Sequence, residues 1–182
     1  MEKFQQNFID QNRWKLFTNG LGVTLIVTFF AVMIGIFLGF VLAVIRSSAD
    51  TIDKKGSSRI GYAVLKLLDF ISKLYITVIR GTPVLIQIMI MYFVIFKSSN
   101  NKILAAVLAF GLNSAAYVAE IIRSGIMSID RGQFEAGRSL GFGFASTMVF
   151  IILPQAFKNV LPALGNEFIV LLKETSVSAY IG

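Results

Sequence analysis

The sequence predicts an all-α, polytopic helical membrane protein with about four spans, and three observations carry that prediction. Hydrophobic residues make up 55% of the 182-residue chain and charged residues only 15%. Mean hydropathy is +0.74, more apolar surface than one soluble core of this size can hide. Charge-free runs long enough to cross lipid recur, and Lys and Arg gather between them rather than on one basic face. That distribution also turns the net charge of +7 away from nucleic acid as a partner. The length suits one membrane domain, 1–182. Cysteine and histidine are absent, which removes thiol nucleophiles, disulfides, imidazole catalysis and the common zinc sites. No catalytic residue and no metal site are expected.

Leu21 to Ile45 contains no charge and, at about 1.5 Å per residue, reaches roughly 37 Å, enough to cross a tilted path through a ~30 Å core. It is too long for a signal-peptide core, so it reads as a retained span. Gly35 and Gly39 fall four apart on one face, where a second helix can approach closely. Arg46 to Arg59, with Lys54 and Lys55 against Asp50 and Asp53, reads as a polar loop. Lys66, Lys73 and Arg80 then recur every seven residues, with Asp69 among them, as on an interfacial segment or the inner end of a span. Val84 to Phe96 is too short to cross alone and must borrow residues from about Leu74 onward. Lys97 to Lys102 is a polar turn, and Ile103 to Ile122 a third span interrupted by Asn113, Ser114, Tyr117 and Glu120. Thr147 to Leu153 and Val160 to Leu172 are broken by Pro154, Lys158 and Pro162; they read as a short inner helix followed by a fourth span. The basic regions Arg46–Arg80 and Arg123–Arg138 belong inside, which puts the amino terminus outside, although Lys3, Arg13 and Lys15 precede the first span.

The stretch 128–141 is the informative one. Asp130 with Gln133 three residues on gives a capping signal, and Gly141 a stop. The helix between them measures only about 15 Å, so it is a short amphipathic rod. Phe134 and Leu140 offer apolar contacts suited to a groove on another protein. Glu135-Ala136-Gly137, three residues, Gly141, nine residues, then Ile151-x-Leu153-Pro154 resembles the EAA loop of bacterial ABC import permeases. The resemblance implies that 128–141 is the cytoplasmic coupling helix, which docks on a separate ATPase subunit through Phe134, Glu135, Ala136, Gly137, Leu140 and Gly141. The usual third residue is alanine; Gly137 departs from it at a helix-propensity cost of about 1 kcal/mol.

Arg80-Gly81-Thr82-Pro83-Val84-Leu85-Ile86-Gln87 is similar to a signature of polar-amino-acid permeases, and Asn113 to Ile121 and Pro162 to Ile169 resemble their third and fourth spans. From about Trp14 onward the chain resembles this MetI-like permease core throughout. Relatives continue beyond Ile181-Gly182 into another span, so the family's last helix is expected to be missing here. Arg80, Gly81, Thr82, Pro83 and Pro154 take structural parts on this reading, Gly81 and Pro83 by shaping the second helix.

An ionisable group inside a span costs at least about 2.5 kcal/mol and usually faces a cavity or a partner. Asn113, Tyr117 and Glu120 share one helical face and, with Asn166 and Glu167, are the candidates to line a substrate path. A carboxylate suits a substrate ammonium; Asn and Tyr suit the rest. The competing reading pairs Glu120 with Arg123, three residues on, at the membrane boundary. No phosphate-binding G-x-x-x-x-G-K-[ST] stretch is present, so ATP and Mg²⁺ belong to a partner ATPase and no cofactor to this chain. The other implied partners are a second permease chain, as homo- or heterodimer, an extracytoplasmic amino-acid-binding protein and membrane lipid. The implied place is the bacterial cytoplasmic membrane. An ATP-independent channel or secondary transporter would explain the spans but leaves the spaced Glu–Gly–Ile–Pro pattern unexplained.

Overall fold

The longest apolar run of the sequence lies inside a single helix, α1 (Trp14–Thr51, 38 residues). The fold is that of a computed structural model, which describes residues 5–6, 12–51, 58–99 and 101–181. Lys3, Asp53, Lys54, Lys55 and Gly182, all used in reading the sequence, lie outside the described residues. After α1 come α2 (Arg59–Gly81), α3 (Val84–Ile90), α4 (Lys102–Met127), α5 (Arg131–Ser139), α6 (Phe144–Thr147) and α7 (Leu153–Glu174). π-helical turns extend α3 (Met91–Ile95) and join α6 to α7 (Met148–Ile152), and a 3₁₀ segment (Thr175–Ile181) follows α7. Among the described residues there is no strand.

Hydrophobicity and burial run opposite to the soluble pattern. The most apolar 18-residue window, in α1, is 28% buried, whereas that of the less apolar α4 is 72% buried. Phe17, Leu21, Phe29, Phe30, Phe37 and Phe40 of α1 face outward. Such a surface is stable only against hydrocarbon, so the chain is an integral membrane protein. Three helical stretches are long and apolar enough to span, and a bent pair supplies a fourth.

The α1–α4 contact is the centre of the packing. Ala31, Gly35, Gly39, Ala43 and Ser47 recur every four residues along the buried edge of α1. A Cβ added to Gly35 would stand 2.7 Å from Ser114 Oγ, and one on Gly39 2.7 Å from Val118 Cβ, so only glycine admits α4 at this distance. Gly111 answers from α4: a Cβ there would meet Ile34 Cγ2 at 2.9 Å. Three apolar clusters form around α4. Phe110 packs with Val27, Ile88 and Leu171, Val118 and Ile122 with Ala43, Ile152 and Ala156, and Ala116 and Ala119 with Ile76 of α2.

Several boundaries differ from those read in the sequence. Helix α1 begins at Trp14 and runs through Arg46 to Thr51, where a loop was expected, because contacts to α4 and α2 hold its polar end. The second span is not one helix borrowing residues from Leu74. Helix α2 starts at Arg59, and α2 and α3 meet at 106° across Thr82 and Pro83. Thr82 is extended (φ −117°, ψ 141°), as a residue before proline prefers. Nor do Pro154 and Pro162 separate a short helix from a fourth span. Phe144 to Ile181 is one continuous helical path. Pro154 stands in the first turn of α7, where an amide donor is not needed, and Pro162 lies within α7.

The glycine contact gives a direct test. Gly35→Leu is expected to destabilise the protein by about 1–3 kcal/mol through overpacking. Gly22→Leu, at a position with nothing within 4 Å, leaves it unchanged. Detergent-solubilised thermal unfolding of the two variants makes the comparison.

Candidate functional site

At the α2–α3 break, lipid offers no water to satisfy the backbone carbonyls that end α2. Gln87, one turn into α3, does so. Its amide nitrogen lies 2.8 Å from the Ile79 carbonyl, 3.1 Å from the Thr82 carbonyl and 2.8 Å from Thr82 Oγ1. Thr82 Oγ1 in turn donates to the Val78 carbonyl at 3.0 Å. The Gln87 carbonyl oxygen accepts from Asn113 Nδ2 at 3.0 Å, which fastens the break to α4. Gly81 ends α2 and Pro83 precedes the first residue of α3, so the Arg80–Gln87 stretch is one structural device. Arg80 completes it with its guanidinium 5.1 Å from the centre of the Tyr117 ring, a cation–π contact.

The polar residues of α4 thus reach different helices. Asn113, buried, holds Gln87 of α3, and the half-exposed Tyr117 meets Arg80 of α2. Ser114, fully buried beside Gly35, donates to Glu167 Oε1 of α7 at 2.8 Å. Asn166, next to Glu167, is exposed and stands apart from that bond. Glu120 does not pair with Arg123. Its Oε2 accepts from Arg46 Nη1 of α1 at 2.6 Å, with the Arg46 side chain only 11% exposed, while Arg123 approaches Asp50 at 3.7 Å. The cross-helix geometry prevails because α1 brings Arg46 and Asp50 to α4, whereas an i, i+3 pair on one helix surface is worth only ~0.2–0.5 kcal/mol. Among the described residues, no three acidic side chains converge as metal ligands would.

Beside this column lies the rod α5. Asp130 Oδ1 accepts from the Gly132 amide at 2.7 Å and caps its start. Gln133 does not reach back to close a capping box; its Oε1 takes Gln155 Nε2 at 3.4 Å. The end is a Schellman turn: Gly141 adopts φ +80°, its amide donates to the Arg138 carbonyl at 2.9 Å, and the Phe142 amide donates to the Gly137 carbonyl at 3.0 Å. Phe134 turns inward onto the cluster that holds Met148, Ile151 and Leu153. Gly137 is buried because α5 rests on Thr147; a Cβ there would lie 2.6 Å from both Thr147 Cγ2 and Oγ1. The departure from alanine at this position is therefore a packing fit as well as a loss of helix propensity. Glu135, Ala136, Leu140 and Gly141 remain on the outer surface, Leu140 being 72% exposed.

Residues 58–182 match the family described as the binding-protein-dependent transport system inner membrane component. The chain belongs to that family. It is a permease subunit of an ABC importer, and not itself an enzyme; the family works with an ATPase and a binding protein. The permease is 40% identical over 166 residues to the arginine transport system permease protein ArtQ of Bacillus subtilis (strain 168), covering 90% of this chain and 69% of that one. It is 33% identical over 177 residues to the L-cystine transport system permease protein TcyB of the same organism, covering 96% and 69%. A crystal structure of an amino acid ABC transporter with histidines shares its fold at a TM-score of 0.79 and 43% identity, covering 94% of this chain and 74% of that chain.

The permease's cross-helix ties were the part that sequence reasoning missed. Gln87 was visible within the Arg80–Gln87 stretch, and its polarity inside an apolar run was the available signal. Arg46 and Asp50 looked like loop charges, and Ser114 like one interruption among several.

Two expectations follow. Gln87→Leu is expected to cost about 1–3 kcal/mol by stranding the Ile79 and Thr82 carbonyls and the Asn113 amide. Adding Asn113→Leu costs less in that background than alone, and a double-mutant cycle on unfolding free energies measures the difference. Gly137→Ala pushes α5 off Thr147 despite its better propensity, and Thr147→Ala recovers most of the lost thermal stability.

Proposed function

We propose that the permease pairs with a second permease chain in the bacterial cytoplasmic membrane and carries a polar amino acid inward, with α5 as the coupling helix. A separate ATPase holds ATP and Mg²⁺, closes on them, and presses on α5 from the cytoplasmic side. A binding protein delivers substrate from the outside, where the amino terminus lies. The observation that carries this reading is the posture of α5. It is capped at both ends, seated on Thr147 and on the Phe134 cluster, and it presents Glu135, Ala136 and Leu140 outward. A rod held this way passes a push into α7 through the Met148–Ile152 turn instead of bending. The names of the relatives, for arginine and for L-cystine, support an amino acid as the cargo. Phe134 acts on this reading from within, as the anchor of the rod.

For the passage, the reading favours Glu167 with Asn166 and the half-exposed Tyr117 as the groups that meet substrate ammonium and carboxylate. Asn113 and Glu120, engaged by Gln87 and Arg46, hold the walls in register.

Co-purification with the ATPase tests the coupling. Glu135→Arg and Leu140→Asp are expected to abolish it while leaving thermal unfolding within about 0.5 kcal/mol, as exposed substitutions do. Retention of the ATPase by both variants overturns the role of α5. Amino acids, with the binding protein present, are expected to stimulate hydrolysis in the reconstituted complex; stimulation only by sugars or metals removes the amino-acid assignment.

A further inference from the structure

Where the charged end of α1 and the last turn of α4 meet α5, the helices enclose a cavity of about 360 Å³. Arg123 and Arg131 line it against one carboxylate, Asp50, and the remaining wall is largely apolar, with Ile126, Phe134 and Met148. Arg123 is under-used for a guanidinium with five donors. One Nη meets the Met127 sulfur, a weak acceptor, Asp50 stands at 3.7 Å, and the buried Nε has no hydrogen-bond partner. Arg131 makes no hydrogen bond or ion pair among the described residues and is exposed.

Ile126 also lines a second space, a groove of about 440 Å³ between α1, α4 and α7. Its walls are apolar along their length, from Met33, Phe37 and Phe40 on one side to Phe157 and Leu164 on the other. From Leu153 to Leu164 the groove follows α7 for roughly 16 Å. An under-satisfied cationic cavity sharing a wall residue with a long apolar channel fits one class of ligand, an amphiphile with an anionic head.

We propose that this composite site binds one anionic phospholipid, its phosphate between Arg123 and Arg131 and an acyl chain along the groove. The two guanidiniums outnumber the single carboxylate, and planar donor forks suit phosphate oxygens. Basic pockets between membrane helices at a charged boundary take such head groups, and the apolar wall favours a lipid over free phosphate. The bound lipid would touch α1, α4, α5 and α7 together. The site stands whether or not α5 docks an ATPase.

Intact-complex mass spectrometry of the detergent-extracted transporter, exchanged into phosphatidylglycerol or phosphatidylcholine without nucleotide, tests it. The expected result is preferential retention of one phosphatidylglycerol per chain. Arg123→Gln with Arg131→Gln lowers that retention at least fivefold, and the corresponding lysine pair loses less. Arg131→Gln alone, at an exposed position, carries the test if the Arg123 variant does not fold. Met33→Trp, placed on the outward-facing rim of the groove, lowers retention of long-chain but not dioctanoyl phosphatidylglycerol. Equal retention of phosphatidylcholine, or full retention in Arg131→Gln, overturns the proposal. Displacement by millimolar inorganic phosphate overturns it in favour of a free-anion site. A Met33→Trp variant that alters the assembly mass with lipid retention unchanged overturns it in favour of a second chain covering the groove.

Discussion

The near approach of α1 to α4 is the constraint on which the remaining structure depends. Between helices in lipid there is little hydrophobic gain, because acyl chains are as apolar as leucine; association rests on close packing and on polar ties. Gly35 and Gly39 provide the first, and they also bring Arg46 and Asp50 to the level of Glu120 and Arg123. Were the helices a side-chain width further apart, Ser114 would lose its packed back wall and the Arg46–Glu120 pair its reach. The bond from Ser114 to Glu167 then extends the same registration to α7. A contact made of absent side chains therefore positions nearly every polar group in the spans.

Helix α4 shows what that arrangement asks of a sequence. Surrounded by α1, α2, α3 and α7, it carries Ala105, Ala106, Ala109, Ala115, Ala116 and Ala119, small residues that let several neighbours close in. Its modest hydropathy follows from its place: it meets protein where α1 meets lipid. Polar residues are tolerated on α4 because each is answered by another helix, and an unanswered one would be far more expensive there than in water.

Much of this was legible in the sequence, for physical reasons that differ from element to element. The apolar runs announced the spans because lipid demands length and composition together. The Gly35/Gly39 spacing announced the α1 contact face, and Asp130 and Gly141 the two ends of α5, because close approach, capping and a left-handed turn each restrict residue type sharply. The path of α2 was not legible. A proline after an extended threonine marks a break, but the angle depends on what Gln87 and Asn113 fasten, and those partners are 26 residues apart. Charge pairs failed in the same way: Glu120 has a neighbour in sequence and a nearer one in space. Proline was misleading at Pro154, since its usual breaking effect vanishes in a first turn.

The π turn at Met148–Ile152 adds a consequence of a different kind. Such a turn accommodates one residue more than an α-helix needs. Losing a single residue there would let the helix relax into ordinary geometry and would turn everything beyond it by about 100°. Glu167 would then leave Ser114, and Ala156 and Val160 would rotate away from α4. In this stretch the tally of residues between rod and passage matters as much as their chemistry, so related chains should tolerate substitutions here more readily than a change in length.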